Sequence, residues 1–533
     1  MSNYESYAEY YHDQTKYTPE GIAGSQHRLD FDKQPTPFKE YPNKKTIDIS
    51  HLLPIERNPF SDVGIKNPKE FTDLEKSLSE LSKLLYFSNG ITAMIPFEDK
   101  SFYMRSSPSA GGLYPTEIYV LADGFCRDGV TTPLLEDGLY NYQVLKQGLS
   151  LIQKGDLKKK LLEATFNHSQ IESGNLFLIL TGVFFRSSWR YQDRAYRRIC
   201  LDTGHILGNI DLVSFPSNFK AVLIGGFNDK MVNEILSLDE DEEQALAIIA
   251  LIDKNNVETC HGKSLPAALP SKLEPHNIKT PEGTRLIQLH NRSKIENFVN
   301  VPNIPMKDIE ETFKFSSKIL LDETLSKDAI LGRLNKWHET LLPTILKRRS
   351  TRAFSGEPIT VEELNTILDF TYHPELFYAD GLDPDPMYFD LSLIETFIAV
   401  NDVDGLEEGC YYYSKKGRYL RQVRFKNFRD EVYYLCLGQE LGYKASAVIF
   451  HTCDLPKSIF KYGERAYRYI HMDAGHLGQR INLAAVNLNL GVSGIGGFFD
   501  DNVNEVLGIP EDEAVVYITT LGVPAKAVQE EAK

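Results

Sequence analysis

The stretch RYQDRAYRRICLDTGHILGNI at residues 190–210 returns as KYGERAYRYIHMDAGHLGQRI at residues 461–481, and this repetition decides the fold. The similarity continues through a glycine turn, IGGFNDKMVNEIL at 224–236 and IGGFFDDNVNEVL at 495–507. Over 47 aligned positions, 21 residues are identical at a constant offset of 271. That offset is far longer than the repeat of a solenoid. The sequence therefore predicts two tandem copies of one domain.

Prolines mark the boundary between the copies. Residues 262–306 carry six prolines and little apolar periodicity, which is typical of a linker, and a helical stretch is expected to follow at 307–336. The expected divisions are an irregular, aromatic-rich extension at 1–69, copy one at 70–255, a linker with a helix at 256–339, copy two at 340–525 and a tail at 526–533.

Each copy shows the same order of elements. An amphipathic helix (LEKSLSELSKLLYFS; VEELNTILDFTY) precedes one strand (TEIYVLA; IETFIAV) and then another (NLFLILTGVFF; KASAVIFHTC). A long helix is expected to begin near Tyr191 and near Tyr462, followed by a glycine turn, a short helix and a last strand. Helices and strands without strict alternation favour an α+β fold.

Composition excludes several classes of protein. The net charge of −16 disfavours a nucleic-acid partner, and no apolar run reaches the ~18 residues that span a membrane. The first residues lack the pattern of a secretory signal. Six cysteines without a C-x-x-C pair argue against a zinc ribbon or a disulfide scaffold. We therefore expect a cytoplasmic protein without a metal site, a membrane anchor or bound nucleic acid.

A glycine-containing loop, SPSAGGLYP, lies at 107–115 of copy one. It precedes its strand, whereas a dinucleotide fingerprint follows one. Paired glycines allow a planar or anionic ligand to approach the backbone closely. A plain turn before a strand is the alternative. The candidate ligand-binding residues are Pro108, Ser109, Ala110, Gly111 and Gly112.

Two segments of copy two are further candidates. KRRSTR at 347–352 places three guanidiniums and a hydroxyl close together, which suits phosphate oxygens, although a solvated charge run is the alternative. GVSGIGGFFDD at 491–501 offers backbone N–H groups, although Gly491 itself is expected to cap the long helix. The candidate residues are Arg348, Arg349, Ser350, Arg352, Ile495, Gly496 and Gly497.

Lys461 and Tyr462 form a candidate acid/base pair at the start of KYGERAYRY. Arg465 and Arg468, spaced i, i+3, share a helix face and are cations able to lower nearby pKa values. A surface lysine beside a packing tyrosine is the alternative. Asp473 and His476 are also spaced i, i+3, and a helix–helix hydrogen bond explains them better than a metal.

Taken together, SPSAGGLYPTEIYV, KYGERAYRY…AGH and GIGGF resemble the SagB-type dehydrogenases of the nitroreductase-like superfamily, which include the McbC-like azoline dehydrogenases and the cyanobactin oxidases. The opening segment YHDQTKYTPEGI…PFKEYP is similar to the leader of that family. The resemblance implies an α+β, nitroreductase-like fold with FMN at a two-fold interface. It also implies that the R-x-S-x-R segment holds the FMN phosphate and that the glycine turn lies along the flavin ring.

Each copy has lost what the other keeps. Opposite SPSAGGLYP copy two has DPMYFDLSL, and opposite RRSTR copy one has IKNPK. The resemblance therefore implies an intramolecular pseudo-dimer with one composite FMN site. Lys461 and Tyr462 take the catalytic position of the azoline dehydrogenases, whereas copy one has Arg190–Tyr191, and arginine stays protonated.

The implied reaction is oxidation of a thiazoline or oxazoline in a peptide, or in a peptide-like natural product, to the azole. A cyclodehydratase is the implied partner, and a single chain is expected to suffice as the pseudo-dimer. Two alternatives remain open: an NAD(P)H-dependent nitro- or quinone reductase, and a pseudo-enzyme that organises a peptide-modifying complex.

Overall fold

The computed structural model describes residues 4–25, 27–56, 64–65, 73–97, 100–125, 135–254, 283–301, 309–314, 316–321 and 337–526. Its helices are α1 (Tyr7–Gln14), α2 (Pro19–Gly24), α3 (Asp73–Asn89), α4 (Lys158–Ala164), α5 (Ser169–Ser173), α6 (Phe184–Tyr191), α7 (Ala195–Ser214), α8 (Asp229–Leu236), α9 (Arg285–Arg292), α10 (Ile309–Thr312), α11 (Trp337–Lys347), α12 (Val361–Tyr372), α13 (Arg429–Leu435), α14 (Glu440–Tyr443), α15 (Leu455–Tyr462), α16 (Ala466–Asn487) and α17 (Asp500–Leu507).

Strands occur in both copies. In copy one they are β1 (Thr46–Asp48), β2 (Ile55–Glu56), β3 (Gly64–Ile65), β4 (Ile91–Phe97), β5 (Lys100–Arg105), β6 (Thr116–Ala122), β7 (Gly138–Gln143), β8 (Gly148–Lys154), β9 (Leu176–Val183), β10 (Phe219–Ile224) and β11 (Glu243–Asp253). Next come β12 (Lys318–Leu320), β13 (Ile359–Thr360), β14 (Glu395–Val400), β15 (Val403–Asp404), β16 (Gly409–Ser414), β17 (Tyr419–Arg424), β18 (Ala447–Asp454), β19 (Gly491–Ile495) and β20 (Glu513–Gly522).

The two main sheets have the same topology. One runs β1-β8-β7-β6-β9-β11-β10 and the other β12-β17-β16-β14-β18-β20-β19, each with antiparallel neighbours. Glu117 pairs with Thr181 in copy one, and Glu395 pairs with Thr452 in copy two. Residues up to Glu117 therefore correspond to residues of copy two at an offset of 278, and residues from Thr181 onward at an offset of 271. The α+β fold with two tandem copies is confirmed.

The long helices α7 and α16 pack against each other at the centre of the molecule. At their crossing a Cβ on Gly204 would lie 2.9 Å from the Gly475 Cα, and a Cβ on Gly475 would lie 3.1 Å from the Gly204 Cα. These glycines are equivalent in the repeat, so they lie on the pseudo-two-fold axis. Both helices are buried along almost their whole length because each also covers the inner face of a sheet.

The first residues form part of the repeat, although an irregular extension was expected over 1–69. Helix α1 opens with a capping box between Ser6 and Glu9, and it lies between the two copies. Helix α9, inside the predicted linker, is its counterpart. His12 contacts the Tyr467 hydroxyl at 3.1 Å, and His290 contacts the Tyr196 hydroxyl at 3.0 Å, with the copies exchanged.

Three expectations are corrected by local geometry. The long helices begin at Ala195 and Ala466, because the chain first turns at Gln192 and Gly463, where φ is +48° and +65°. Gly491 opens strand β19 and does not cap the helix; its Cβ would crowd Phe354 at 2.8 Å. The described part of 307–336 contains the single turn α10 and strand β12. Within the described ranges, none of the helices is both long and apolar enough to cross a membrane.

Candidate active site between the two copies

The glycine loop of copy one is held by its own long helix. Ser109 Oγ donates to Asp202 Oδ2 at 2.6 Å, and the Ala110 N–H donates to Asp202 Oδ1 at 3.1 Å. Burial raises the pKa of Asp202 to about 7. Gly111 and Gly112 follow with φ near +66° and remain exposed. The loop thus presents bare backbone at a conformation that favours glycine.

The end of α6 and the start of α7 lie against this loop. A Cβ on Gly111 would lie 2.9 Å from the Tyr191 hydroxyl and 3.2 Å from Arg190 Cδ. The Arg198 guanidinium lies 4.9 Å from the centre of the Tyr191 ring, and its Nη1 occupies the space that a Cβ on Gly496 would take. We call the cluster of Gly111, Gly112, Arg190, Tyr191, Arg198 and Gly496 the open site.

The arginine segment of copy two meets copy one beside the loop. Arg348 Nε donates to the Ser106 carbonyl at 3.0 Å and Arg348 Nη2 to the Arg105 carbonyl at 2.9 Å. Burial lowers the pKa of Arg348 to about 10. Arg349 Nη1 folds back onto the Leu346 carbonyl at 2.9 Å. Arg352 is exposed. Arg348 therefore ties the copies together, and Arg352 is the guanidinium turned to solvent.

Of the remaining predicted binding residues, one belongs to the apolar core and the others are half-buried. Ile495 pairs with Ile518 in the sheet, and its side chain belongs to the apolar core of copy two. Gly497 follows it, and a Cβ there would lie 3.0 Å from Leu437 Cδ1. Ser350 and Pro108 are half-buried. Of the IKNPK segment at 65–69, Ile65 ends β3 and residues 66–69 lie outside the described residues.

The pseudo-two-fold axis generates a second cluster, which we call the closed site: Gly225, Phe389, Asp390, Lys461, Tyr462 and Tyr469. At an offset of 278, Phe389 takes the place of Gly111, and at 271, Tyr469 takes the place of Arg198. The two rings stack with centroids 4.6 Å apart, and the Tyr469 hydroxyl donates to the Gly225 carbonyl at 3.0 Å. Aromatic side chains therefore fill the volume that the open site leaves free.

Lys461 and Tyr462 lie in the closed site, so the structure does not bring them to the glycine loop and the arginine segment. Lys461 Nζ donates to Asp390 Oδ2 at 2.6 Å, and the Tyr462 hydroxyl donates to the same oxygen at 2.9 Å. Asp473 anchors that loop through the Phe389 and Asp390 N–H groups, as Asp202 does in copy one. The residues at the equivalent position of the open site are Arg190 and Tyr191.

The two arginines that were predicted to lower pKa values near Lys461 make their ion pairs with copy one. Arg465 and Arg468 both bind Asp229 of copy one, at 2.6 and 2.8 Å, and are fully buried. His476 stacks on Tyr388 with centroids 4.2 Å apart. Among the described residues, no three His, Cys, Asp or Glu side chains are placed to hold a metal ion.

Arg198 is the residue that the sequence analysis missed. It lies on the long helix, where the repeat has arginine in copy one and tyrosine in copy two. A comparison of the two copies for charge differences, and not only for lost motifs, would have identified it.

Comparisons with known proteins agree with this architecture. The model of the nitroreductase family matches residues 70–251 and 345–523. A solved structure from Anabaena variabilis ATCC 29413, described as a candidate nitroreductase, is 47% identical, with a TM-score of 0.85 over 98% of this chain and 100% of that one. The candidate nitroreductase MJ1384 of Methanocaldococcus jannaschii is 30% identical over 167 residues, which are 31% of this chain and 83% of the relative.

The chain is also similar to a peptide-processing protein. The microcin B17-processing protein McbC of Escherichia coli is 26% identical over 214 residues, which are 39% of this chain and 72% of McbC. The family match covers both halves of the repeat, and the match to the Anabaena protein covers almost the whole chain. The chain belongs to the nitroreductase family, as two tandem copies joined in a single pseudo-dimer.

Proposed function

We propose that the chain is an FMN-dependent oxidoreductase with one flavin, bound in the open site. The observation that carries this proposal is the convergence of exposed glycines, a buried guanidinium and an arginine segment at one of two pseudo-equivalent places. The Gly111 loop leaves its backbone exposed, the Gly496 turn is half-buried against the Arg198 guanidinium, and Arg198 Nε has no hydrogen-bond partner. These features fit a flat, polar-edged ligand, while aromatic rings block the closed site.

We propose that different residues of the open site bind different parts of FMN. We assign Arg352 and Ser350 to the phosphate, and the Gly496 and Gly497 N–H groups to the polar edge of the ring. Arg348 holds the loop of copy one in place through its carbonyl contacts. When bound, FMN supplies the acceptor for the hydride that a substrate carbon loses.

We further propose dehydrogenation of an azoline ring to an azole, with a peptide-like substrate and a cyclodehydratase as the partner that makes the ring. Similarity to McbC supports this reaction class. The ring loses one hydride and one proton from adjacent carbons. We assign that proton to Tyr191, which takes it as the phenolate after releasing its own hydroxyl proton to solvent. Burial raises the pKa of Tyr191 above its ordinary value, so the hydroxyl is protonated at neutral pH, while Arg198 and Arg190 act in the opposite direction and favour the phenolate. Lys461 has no part in this step.

A reductase that takes electrons from NAD(P)H is the second candidate. The observation in its favour is Arg190, since arginine cannot replace a lysine base. Both candidates need the flavin, but they differ in the need for Tyr191.

Flavin quantitation tests the common core of the proposal. The protein is loaded with FMN, dialysed exhaustively to remove free flavin and then denatured. It should release one equivalent of FMN per chain. Two equivalents would show that the closed site also binds, and none would refute the proposal. Loss of two mass units from an azoline peptide, against NADPH consumption with a nitroarene, then separates the two reactions.

A further inference from the structure

We propose that the open site takes a substrate that carries a free carboxylate, and that Arg198 binds this carboxylate. The inference rests on the proposed function, because it assigns a substrate class to the same site. A ring acid such as an azoline-4-carboxylate is the class that this geometry favours over an internal, uncharged peptide ring.

The first argument is the lack of a direct anionic partner for Arg198. The residue is 7% exposed, its Nε has no hydrogen-bond partner, and within the described residues no ion pair joins it to a carboxylate; Asp202, four residues further along α7, feels its charge without pairing with it. Arg465 and Arg468 are neutralised by Asp229 and Arg480 by Asp211, whereas Arg348, for which no ion pair is found among the described residues, donates to two carbonyls of copy one. A buried guanidinium without an anion is costly, so a ligand anion is its natural partner.

The second argument comes from the copies themselves. The open site keeps two cations beside Tyr191, with Arg190 Cζ at 5.8 Å and Arg198 Cζ at 4.9 Å from the ring centre. The closed site has replaced one of them by Tyr469 and neutralises the other, Lys461, with Asp390. Positive charge is therefore kept only where the site is open, in a chain whose net charge is −16.

The third argument is chemical. Removal of the proton beside a carboxyl group builds negative charge on its oxygens, and a guanidinium fork matches two such oxygens. The Arg198 guanidinium lies over the Tyr191 ring, so Arg198 can hold the carboxyl group while Tyr191, as the phenolate, takes the neighbouring proton. The adjacent ring carbon would give its hydride to FMN when FMN is bound, and the carboxylate group would remain unchanged.

The test compares two aromatic probes that cannot be turned over, 2-methylthiazole-4-carboxylate and its carboxamide. Each is titrated calorimetrically into the full-length, FMN-loaded protein, with flavin content measured for every preparation. The wild type should bind the carboxylate more tightly by about tenfold or more, and Arg198→Gln should remove that preference. Arg198→Tyr, which copies the residue of the other half, should do the same and guards against a folding defect of the first variant. The exposed Arg424→Gln on β17 is the matched control and should keep the preference.

Three results would overturn the inference. One is equal binding of the two probes by the wild type, and another is a preference that survives both Arg198 variants. The third is loss of flavin in parallel with loss of the preference, which would assign Arg198 to the flavin. Failure of the proposed function is seen separately, as a wild-type protein that holds no FMN.

Discussion

Arg465 of copy two and Asp229 of copy one form a fully buried ion pair, with Arg465 Nη1 donating to Asp229 Oδ2 at 2.6 Å. Arg468 Nη1 lies 2.8 Å from the other oxygen of the same carboxylate. The pseudo-two-fold axis repeats the cluster with the copies exchanged, as Asp500 with Arg194 and Arg197. In each cluster, two arginines of one copy bind the aspartate of the other copy. These two clusters help to fix how the copies are joined.

Asp229→Asn should destabilise the chain strongly. The change leaves two buried guanidiniums without their anion, for which a loss of about 3–5 kcal/mol in the free energy of unfolding is expected. Urea unfolding measures it. In the exposed pair of Lys426 and Glu431, Glu431→Gln should cost less than about 1 kcal/mol. Equal losses for the two variants would contradict a structural role for the buried cluster.

Asp473 predicts an unusual dependence of stability on pH. Burial raises its pKa to about 7, above the ~4 of an unfolded chain, so the folded state keeps a proton that the unfolded state releases. The contribution of Asp473 to the free energy of unfolding should therefore fall as the pH rises from about 4 to about 7. Buried histidines with lowered pKa values contribute in the opposite direction over this range: His12, His205, His290, His451, His471 and His476. The decline contributed by this carboxyl approaches about 1.4 kcal/mol per pH unit.

Asp473→Asn should remove this contribution, so the slope of the free energy of unfolding against pH should become more positive, as measured by urea unfolding at several pH values. Asp202 makes a second contribution of the same sign, because burial also raises its pKa to about 7. The double variant with Asp202→Asn should lose both contributions. An unchanged slope in the double variant would show that these carboxyls titrate normally in the folded protein.

Gly111→Ala should impair flavin binding more than Gly112→Ala. Both residues have φ near +66°, so both variants carry a backbone strain of roughly 1 kcal/mol. Only at Gly111 does the new methyl group also meet a neighbour, the Tyr191 hydroxyl at 2.9 Å, whereas nothing lies within 4 Å at Gly112. Fluorescence titration with FMN compares them. Equal affinities would show that the loop does not approach the ligand at Gly111.

The sequence predicts the fold well because the repeat is strong where the copies contact each other. The motif around Arg194 and Arg465 serves each copy and the interface at once, so it stays recognisable in both. The helices α1 and α9 were not predicted as a pair, because their shared residues are few. The shared histidine and lysine make contacts at both helices, at His12 and Lys16 and at His290 and Lys294, whereas Ser6 caps α1 and its counterpart Thr284 makes no side-chain cap to α9.

The position of Lys461 could not be predicted from the sequence. Offsets show which segments correspond, but not whether a helix end lies over the loop of its own copy or of the other. The structure answers this through Asp202 and Asp473, because each carboxyl group binds the loop of its own copy. Lys461 therefore lies beside Asp390 in the closed site, and Tyr191 lies beside Gly111 in the open site.

Arg352→Gln should weaken FMN retention without affecting the fold. Its guanidinium is exposed beside Ser350, so the loss is one charge-assisted contact to phosphate, about 1.5–3 kcal/mol. Flavin released after gel filtration measures retention, with Arg424→Gln as the exposed control. Arg348→Gln should lose flavin and stability together, because Arg348 also holds two carbonyls of copy one. Full retention by Arg352→Gln would remove this segment from the phosphate site.

Tyr191→Phe and Lys461→Gln test which half serves the flavin. Tyr191 lies against Gly111 in the open site, so Tyr191→Phe should lower azoline turnover by about 10²–10⁴-fold while FMN remains bound. Lys461 is bound to Asp390 in the closed site, where a glutamine amide can still donate to that carboxylate. Lys461→Gln should therefore keep both turnover and flavin.

The two variants are informative because the opposite result has a definite meaning. If Lys461→Gln abolishes turnover and Tyr191→Phe does not, catalysis occurs in the half that Phe389 and Tyr469 fill, and those rings must move aside. If neither change affects turnover of the azoline but NADPH consumption with a nitroarene is rapid, no proton is taken by either pair. The reductase reaction, which needs the flavin but no base at Tyr191, is then the activity of the open site.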